Sequence, residues 1–192
     1  TPKHFIGDGG TTWGSSHATN LKVKYMLDQG DMQASESTIR KLFLPPYQAA
    51  VNAGVMSMMG SFSSWNGIKL HAQKGLLTNI LKGELGFNGF VVSDWKAIDQ
   101  IYPNDYYKSV VTAINAGVDM NMVPYSIAMA LKDQVDPVLA KNDYVAYIET
   151  MKRAVNTGDI PESRVDEAVR RILRAKFSLG LFEHPMPDKK YQ

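Results

Sequence analysis

The 192-residue sequence predicts an α/β fold of about four βα units around a parallel sheet. Short apolar runs with strand character alternate with longer segments in which apolar residues recur at helical spacing. One apolar run, residues 90–92, is closely followed by Asp94 and Trp95, where parallel (β/α)8 barrels carry their catalytic groups. From this segment alone, Asp94 is equally well explained as the N-cap of the next helix.

Strands are predicted where apolar residues run between glycine, proline or polar residues. These runs cover residues 3–6, 55–62, 90–92 and 118–123. Gly7 ends the first run, Gly89 precedes the third, and Pro124 follows the fourth. The uninterrupted apolar character of residues 90–92 is typical of a strand buried on both faces of a parallel sheet.

Helices are predicted from apolar residues at spacings of three and four. One helix begins after Ser35, a favoured N-cap, and Pro45 and Pro46 should break or kink it. Further helices are expected at residues 71–84, 107–116, 125–133 and 143–156. Gly86 and Gly117 follow two of them as stop signals.

The last helix has the clearest pattern. Its apolar stripe consists of Val165, Ala168, Val169, Ile172, Leu173 and Phe177. Ser163 and Asp166 predict a capping pair at its start, and Gly180 predicts its end.

Four βα units amount to half a barrel, because a closed barrel needs eight strands and about 250 residues. The chain is therefore either a small doubly wound domain or the second half of a larger structure. The Gly-rich loop at residues 7–12 matches no phosphate-binding motif, which weighs against nucleotide binding.

The composition excludes several classes of partner. With 44% hydrophobic and 21% charged residues, the balance is that of an ordinary globular domain. The net charge of +2, with basic residues dispersed along the chain, argues against nucleic acid and anionic membranes. No stretch approaches the roughly 18 consecutive apolar residues of a membrane helix, and the first residues carry no signal-peptide pattern.

Cysteine and histidine usage narrows the chemistry further. The absence of cysteine excludes disulfides and thiol catalysis. The four histidines lie far apart without metal-ligand spacing, at positions 4, 17, 71 and 184. We therefore expect neither a metal site nor a cofactor.

The carboxyl ends of the predicted strands would bring together a set of polar and aromatic side chains. These include Lys3, His4, Met59, Phe62, Asp94 and Trp95. Aromatic rings beside a carboxylate suit a sugar, whose CH faces pack on the rings while its hydroxyls form hydrogen bonds. Met59 and Phe62 are also residue types that more often fill a core.

Five motifs resemble, in order and spacing, the catalytic barrel of family 3 glycoside hydrolases. They are residues 3–9 (KHFIGDG), 61–67 (SFSSWNG), 86–95 (GFNGFVVSDW), 116–120 (AGVDM) and 171–182 (RILRAKFSLGLF). The resemblance covers nearly the whole chain and looks closest to the β-glucosidase and exo-β-glucan glucohydrolase branch. It implies an incomplete C-terminal half of a TIM (β/α)8 barrel at residues 1–183, and residues 184–192 would begin a linker to an absent second domain.

The resemblance also implies roles at the reacting centre. Asp94 matches the nucleophile, which forms a covalent glycosyl-enzyme that water hydrolyses with retention. Lys3 and His4 match the pair that hydrogen-bonds the terminal glucose, and Lys3 would help keep Asp94 ionised. Because neighbouring side chains on a regular strand face opposite sides, we predict a bulge or a non-proline cis peptide at Lys3–His4.

The remaining implied contacts are aromatic and apolar. Trp95 matches a residue that flanks the entry subsite, where a second sugar unit stacks. Met59 and Phe62 match positions that line the pocket. Plant members carry a tyrosine where Phe62 stands, so a hydroxyl contact near the nucleophile is absent from this sequence.

Retaining hydrolysis needs a second carboxyl group as acid and base, and this sequence offers no good candidate. In the resembling family a glutamate from a following α/β sandwich domain supplies it, and the first barrel half adds sugar contacts. The predicted function is thus release of terminal glucose from β-glucans or β-linked oligosaccharides, with these two absent parts as partners. The alternative is a non-catalytic sugar-binding remnant. We expect the chain by itself to be inactive and prone to aggregate.

Four other polar residues are weaker candidates. Asp8 is predicted to order its loop or to rim the pocket, and His71 to serve structure near a helix start. Asp99 is expected to be solvated. Asp119 is expected to sit in a hydrogen-bond network rather than to act in catalysis.

Overall fold

The computed structural model describes residues 1–16, 25–123 and 142–186. The predicted helix at residues 125–133 and most of the predicted linker lie outside the described residues. Within these ranges no helix combines the length and apolar character that crossing a membrane requires. The same ranges contain no group of three or more His, Cys, Asp or Glu side chains placed to hold a metal ion.

The wall of the domain consists of four neighbouring parallel segments. Strand β2 (Ser57–Met59) pairs in parallel with β5 (Phe90–Val92). A single parallel bridge pair extends this wall on each side. Phe5 pairs with Gly60 on one side, and Val92 pairs with Met120 on the other. The segments therefore lie side by side in chain order, as in a barrel, whereas the strand order of a doubly wound sheet reverses.

Only one of the four predicted strands has its predicted length, the one at residues 90–92. The strand predicted at 55–62 is confined to Ser57–Met59, and those predicted at 3–6 and 118–123 are reduced to the bridge pairs. The peptide bonds Lys3–His4 and Phe5–Ile6 are cis, so the first segment is not a regular pleated strand. The predicted irregularity at Lys3–His4 is confirmed.

A second, small sheet lies beside the wall and was not predicted. Strand β1 (Asp31–Met32) pairs in parallel with β3 (Ser64–Trp65), which forms a hairpin with β4 (Ile68–Lys69). The hairpin turn is Asn66-Gly67, and both residues have positive φ. Asn-Gly is the strongest short-range hairpin signal, so this element could have been found in the sequence.

The helices pack around the wall. The α-helices are Glu36–Thr38, Pro45–Asn52, Tyr106–Ala116, Tyr144–Asn156 and Glu162–Ser178, and π-helical turns cover Ile39–Phe43 and Gly75–Glu84. The predicted N-cap Ser35 accepts a hydrogen bond from the N–H of Thr38. Pro45 begins a new helix, where its missing N–H costs nothing.

The start of the last helix differs from the prediction. Ser163 lies inside the helix and forms no cap, and Asp166 instead pairs with Arg170 on the helix surface at 3.1 Å. Pro161 occupies the N-cap position, because its fixed φ suits the entry to a helix. The predicted end is confirmed, since Gly180 has φ +64° and donates to the carbonyl of Phe177.

A buried ionic network fastens the last helix to the wall. Both carboxylate oxygens of Asp119 are used, because Oδ2 accepts from the N–H of Val91 at 2.8 Å and Oδ1 lies 2.8 Å from Lys82 and 2.5 Å from Arg164. The predicted hydrogen-bond network around Asp119 is confirmed. Burial lowers the pKa of Lys82, and the Asp119 carboxylate opposes that change.

Candidate active site

Asp94 lies directly beyond the carboxyl end of strand β5. The hydroxyl of the preceding Ser93 donates to the carbonyl of Asp94 at 2.9 Å and accepts from the N–H of Met122 at 2.8 Å. These bonds tie the Asp94 loop to the next wall segment. Oδ1 of Asp94 accepts the N–H of Trp95 at 2.6 Å, which fixes the orientation of the carboxylate relative to the backbone.

His4 connects Asp94 with a second carboxylate. Its Nδ1 lies 3.0 Å from Oδ2 of Asp8, and its Nε2 lies 3.7 Å from Oδ2 of Asp94. The imidazole ring therefore stands between two acidic groups. Asp8 is held in turn by hydrogen bonds from the hydroxyls of Ser61 and Ser63.

A partly buried tyrosine anchors the His4 backbone. The Tyr47 hydroxyl donates to the carbonyl of His4 at 2.6 Å, and the Tyr47 ring packs edge-on against Phe5 at 5.0 Å between centroids. Burial raises the pKa of Tyr47 to about 12, so the hydroxyl keeps the proton that it donates. The helix Pro45–Asn52 thus contributes to the position of His4.

These groups face a cavity of about 510 Å³. Its lining includes four of the residues that the sequence predicted for the site, namely His4, Phe62, Asp94 and Trp95. Trp95 lines the cavity and is 48% exposed. The ammonium group of Lys69 lies 5.4 Å from the centre of the Phe62 ring.

Two predicted site residues do not line this cavity. Lys3 is exposed, and within the described part of the chain it forms no ion pair with Asp94. Met59 is half-buried in strand β2, opposite Val92. The substrate contacts proposed for Lys3 and Met59 stay predictions.

The expectation that Asp99 is solvated is wrong. Asp99 lines the cavity, because the 3₁₀ turn Ala97–Gln100 carries it back toward the site. It accepts a hydrogen bond from Asn142 at 3.1 Å and lies 3.5 Å from Lys96. Burial raises the pKa of Asp99, although Asn142 and Lys96 act in the opposite direction.

Sequence reasoning also missed part of the cavity rim. Asp28 and Gln29 line the cavity from the loop before strand β1, and Gln100 donates to Oε1 of Gln29 at 3.2 Å. Asp28 and Gln29 lie in a long polar connection without apolar periodicity, so no sequence signal placed them. Asp8, by contrast, both holds its loop and lines the cavity, which unites its two predicted roles.

The fold and the site together define an α/β domain of the barrel type, with carboxylate, imidazole and aromatic groups at the carboxyl ends of parallel segments. The family model described as the glycosyl hydrolase family 3 N terminal domain matches residues 1–175. The chain belongs to this family.

Known proteins that resemble the chain carry glycosidase names. The lysosomal beta glucosidase of Dictyostelium discoideum is 31% identical, over 98% of this chain and 20% of its own length. A beta-xylosidase of Formosa agariphila is 31% identical, over 95% of this chain and 23% of its own. The chain thus spans about a fifth of the length of these relatives.

Two solved structures have the same fold over nearly the whole chain. The exo-1,3/1,4-beta-glucanase ExoP from a Pseudoalteromonas species is 39% identical with a TM-score of 0.74, covering 94% of this chain and 19% of that one. The beta-glucosidase from Listeria innocua in complex with glucose is 27% identical with a TM-score of 0.73, covering 95% of this chain and 22% of that one.

Proposed function

We propose that this chain carries the nucleophile of a retaining β-glucoside hydrolase that releases terminal glucose from β-glucans or β-linked oligosaccharides. The observation that carries the proposal is the Asp94 carboxylate beyond the end of a parallel strand, facing His4 in a cavity with an exposed Trp95. Three of the four relatives named above support the same substrate class, since two are beta-glucosidases and one is an exo-1,3/1,4-beta-glucanase, and the fourth is a beta-xylosidase.

In the proposed reaction a carboxylate oxygen of Asp94 attacks the anomeric carbon, and the bond from that carbon to the leaving oxygen breaks. The leaving oxygen takes a proton from a general acid. Water then attacks the glycosyl-aspartate, gives a proton to the same group, and releases glucose with its β configuration retained. His4, oriented by Asp8, is placed to hydrogen-bond a sugar hydroxyl beside the nucleophile.

We further propose that the general acid/base lies outside these residues. Beside Asp94, the carboxylates that line the cavity in the described part of the chain are Asp8, Asp28 and Asp99. The ring of His4 stands between Asp8 and Asp94, and Asp99 is engaged by neighbouring side chains. The consecutive wall segments support a barrel-type fold. We propose that the chain is its C-terminal half, completed by a first barrel half and an α/β sandwich domain.

The nucleophile is tested in the longer polypeptide that this proposal requires, with 2,4-dinitrophenyl 2-deoxy-2-fluoro-β-glucoside. This reagent needs no acid catalyst, because dinitrophenolate leaves without a proton. We expect one covalent adduct per active site, located at Asp94 by peptide mass analysis. Asp94→Asn should abolish labelling and reduce hydrolysis by more than about 10³-fold. Sugar binding without an adduct would instead identify a non-catalytic remnant.

The location of the acid is tested with Asp8→Asn, Asp28→Asn and Asp99→Asn. Loss of a general acid slows substrates with poor leaving groups far more than dinitrophenyl glucosides, and added azide then yields a β-glucosyl azide. We expect all three variants to keep the wild-type dependence on the leaving group. If any variant shows the stronger leaving-group dependence together with the azide product, the acid lies inside this chain. That result would overturn the proposal that the acid/base lies outside these residues.

A further inference from the structure

His71 makes a direct contact with the backbone of the candidate nucleophile. Its Nε2 accepts the N–H of Asp94 at 3.0 Å, and its side chain is fully buried. His71 lies in the 3₁₀ turn Leu70–Ala72, on a different chain segment from the Asp94 loop. The bond therefore spans the gap between two loops at the carboxyl face of the wall.

The bond requires one protonation state of the ring. An imidazole nitrogen that accepts a hydrogen bond carries no proton, so the neutral ring must hold its proton on Nδ1. Burial, with a smaller contribution from Lys69, lowers the pKa of His71 to about 3, which keeps the ring neutral. Nδ1 is itself buried and has no hydrogen-bond partner among the described residues.

The His71 ring packs closely against Gly60. A Cβ atom at Gly60 would lie 3.0 Å from Nε2 of His71, the atom that accepts the Asp94 N–H. Gly60 is also the residue that donates to the carbonyl of Val92 at the end of strand β5. The ring therefore contacts two neighbouring wall segments, one at Gly60 shortly before Phe62 and the other at Asp94.

We propose that His71 is a positioning residue, which holds the Asp94 backbone so that its carboxylate points into the cavity. This inference rests on the proposed role of Asp94. The Asp94 residue is then held at three points: its N–H by His71, Oδ1 by the N–H of Trp95, and its carbonyl by Ser93. Oδ2 remains directed toward His4.

The test compares His71→Gln with His71→Met in the longer polypeptide. Counted along the side chain, the amide oxygen of glutamine reaches the position of Nε2, whereas methionine fills a similar volume without a good acceptor. We expect His71→Met to slow labelling of Asp94 by the dinitrophenyl 2-fluoroglucoside by about 10–100-fold, with less than about threefold change in reagent affinity. His71→Gln should recover most of the rate.

Leu81→Ala is the matched control, because Leu81 is equally buried in the same core and is absent from the cavity lining. It should lower thermal stability without changing the labelling rate. Equal labelling rates in His71→Met and wild type, or equal losses in His71→Met and His71→Gln, would overturn the inference. If the wild type is not labelled at Asp94, the proposed function fails instead.

An NMR measurement that does not depend on activity distinguishes failure of the His71 inference from failure of the proposed function. In ¹⁵N-labelled protein, the His71 ring should give the signals of the neutral Nδ1–H tautomer, with a coupling across the hydrogen bond between Nε2 and the Asp94 amide nitrogen. Observation of the Nε2–H tautomer would overturn the inference whatever the protein hydrolyses.

Discussion

Nδ1 of His4 lies 3.0 Å from Oδ2 of Asp8, so a second carboxylate orients the ring that faces Asp94. In the longer polypeptide we expect Asp8→Asn to lower kcat/KM for an aryl β-glucoside by about 10–100-fold, because a charge-assisted hydrogen bond contributes roughly 1.5–3 kcal/mol. The matched control is Asp31→Asn, since the Asp31 carboxylate accepts a main-chain N–H, from Gly67, at 2.8 Å and, within the described part of the chain, orients no imidazole ring. Similar losses in both variants would contradict the orienting role.

Trp95 lines the cavity beside Asp94 and is partly exposed, so we predict that the second sugar unit of a substrate stacks on its ring. We expect Trp95→Ala to raise KM for a β-linked glucose disaccharide roughly 3- to 10-fold, since such ring contacts contribute about 0.5–1.5 kcal/mol. β-Glucosyl fluoride is the matched substrate, because its leaving group is a single atom. Its kinetics should change little, and equal losses for both substrates would contradict the assignment of Trp95 to the entry subsite.

The parts of the site that the sequence predicted are those next to the wall. Residues 90–92 are apolar on both faces, so their strand and the position of Asp94 follow from local pattern. Asp99 could not be placed in this way, because its approach to the cavity depends on the turn Ala97–Gln100 and on Asn142, far along the chain. The Asn66-Gly67 hairpin was predictable from turn chemistry.

The contact between His71 and Asp94, like the position of Asp99, depends on residues that are far apart in the chain. The two residues lie on separate loops, and they meet only because β2 and β5 are neighbours in the wall. The helix predicted from residue 71 begins later, at Gly75, and His71 lies in the separate 3₁₀ turn Leu70–Ala72. The local pattern also does not indicate what the His71 side chain contacts. Tertiary neighbours of this kind carry no periodic signal in one sequence.

The buried, neutral His71 should make stability depend on pH. Its pKa is about 3 in the folded protein, where burial and then Lys69 lower it, and about 6.5 when unfolded. Between these values only the unfolded chain binds the proton. The stabilisation is thus complete above pH 6.5 and is lost as pH falls toward 3, by about 1.4 kcal/mol per pH unit. Urea unfolding between pH 7.5 and 5 measures the free energy of unfolding of wild type and His71→Gln. This free energy should fall more steeply with decreasing pH in wild type, and equal slopes against pH in the two proteins would contradict the prediction.

The ionic network around Asp119 should matter far more than a surface ion pair. Lys82 and Asp119 are 5% and 0% exposed, so Asp119→Asn leaves buried cations without their counter-charge. We expect a loss of about 3–5 kcal/mol in the free energy of unfolding. Asp166→Asn is the matched control, because its ion pair with Arg170 is exposed and should contribute about 0–1 kcal/mol. Urea denaturation measures both variants, and a loss in Asp119→Asn no larger than in Asp166→Asn would mean that the network does not fasten the last helix.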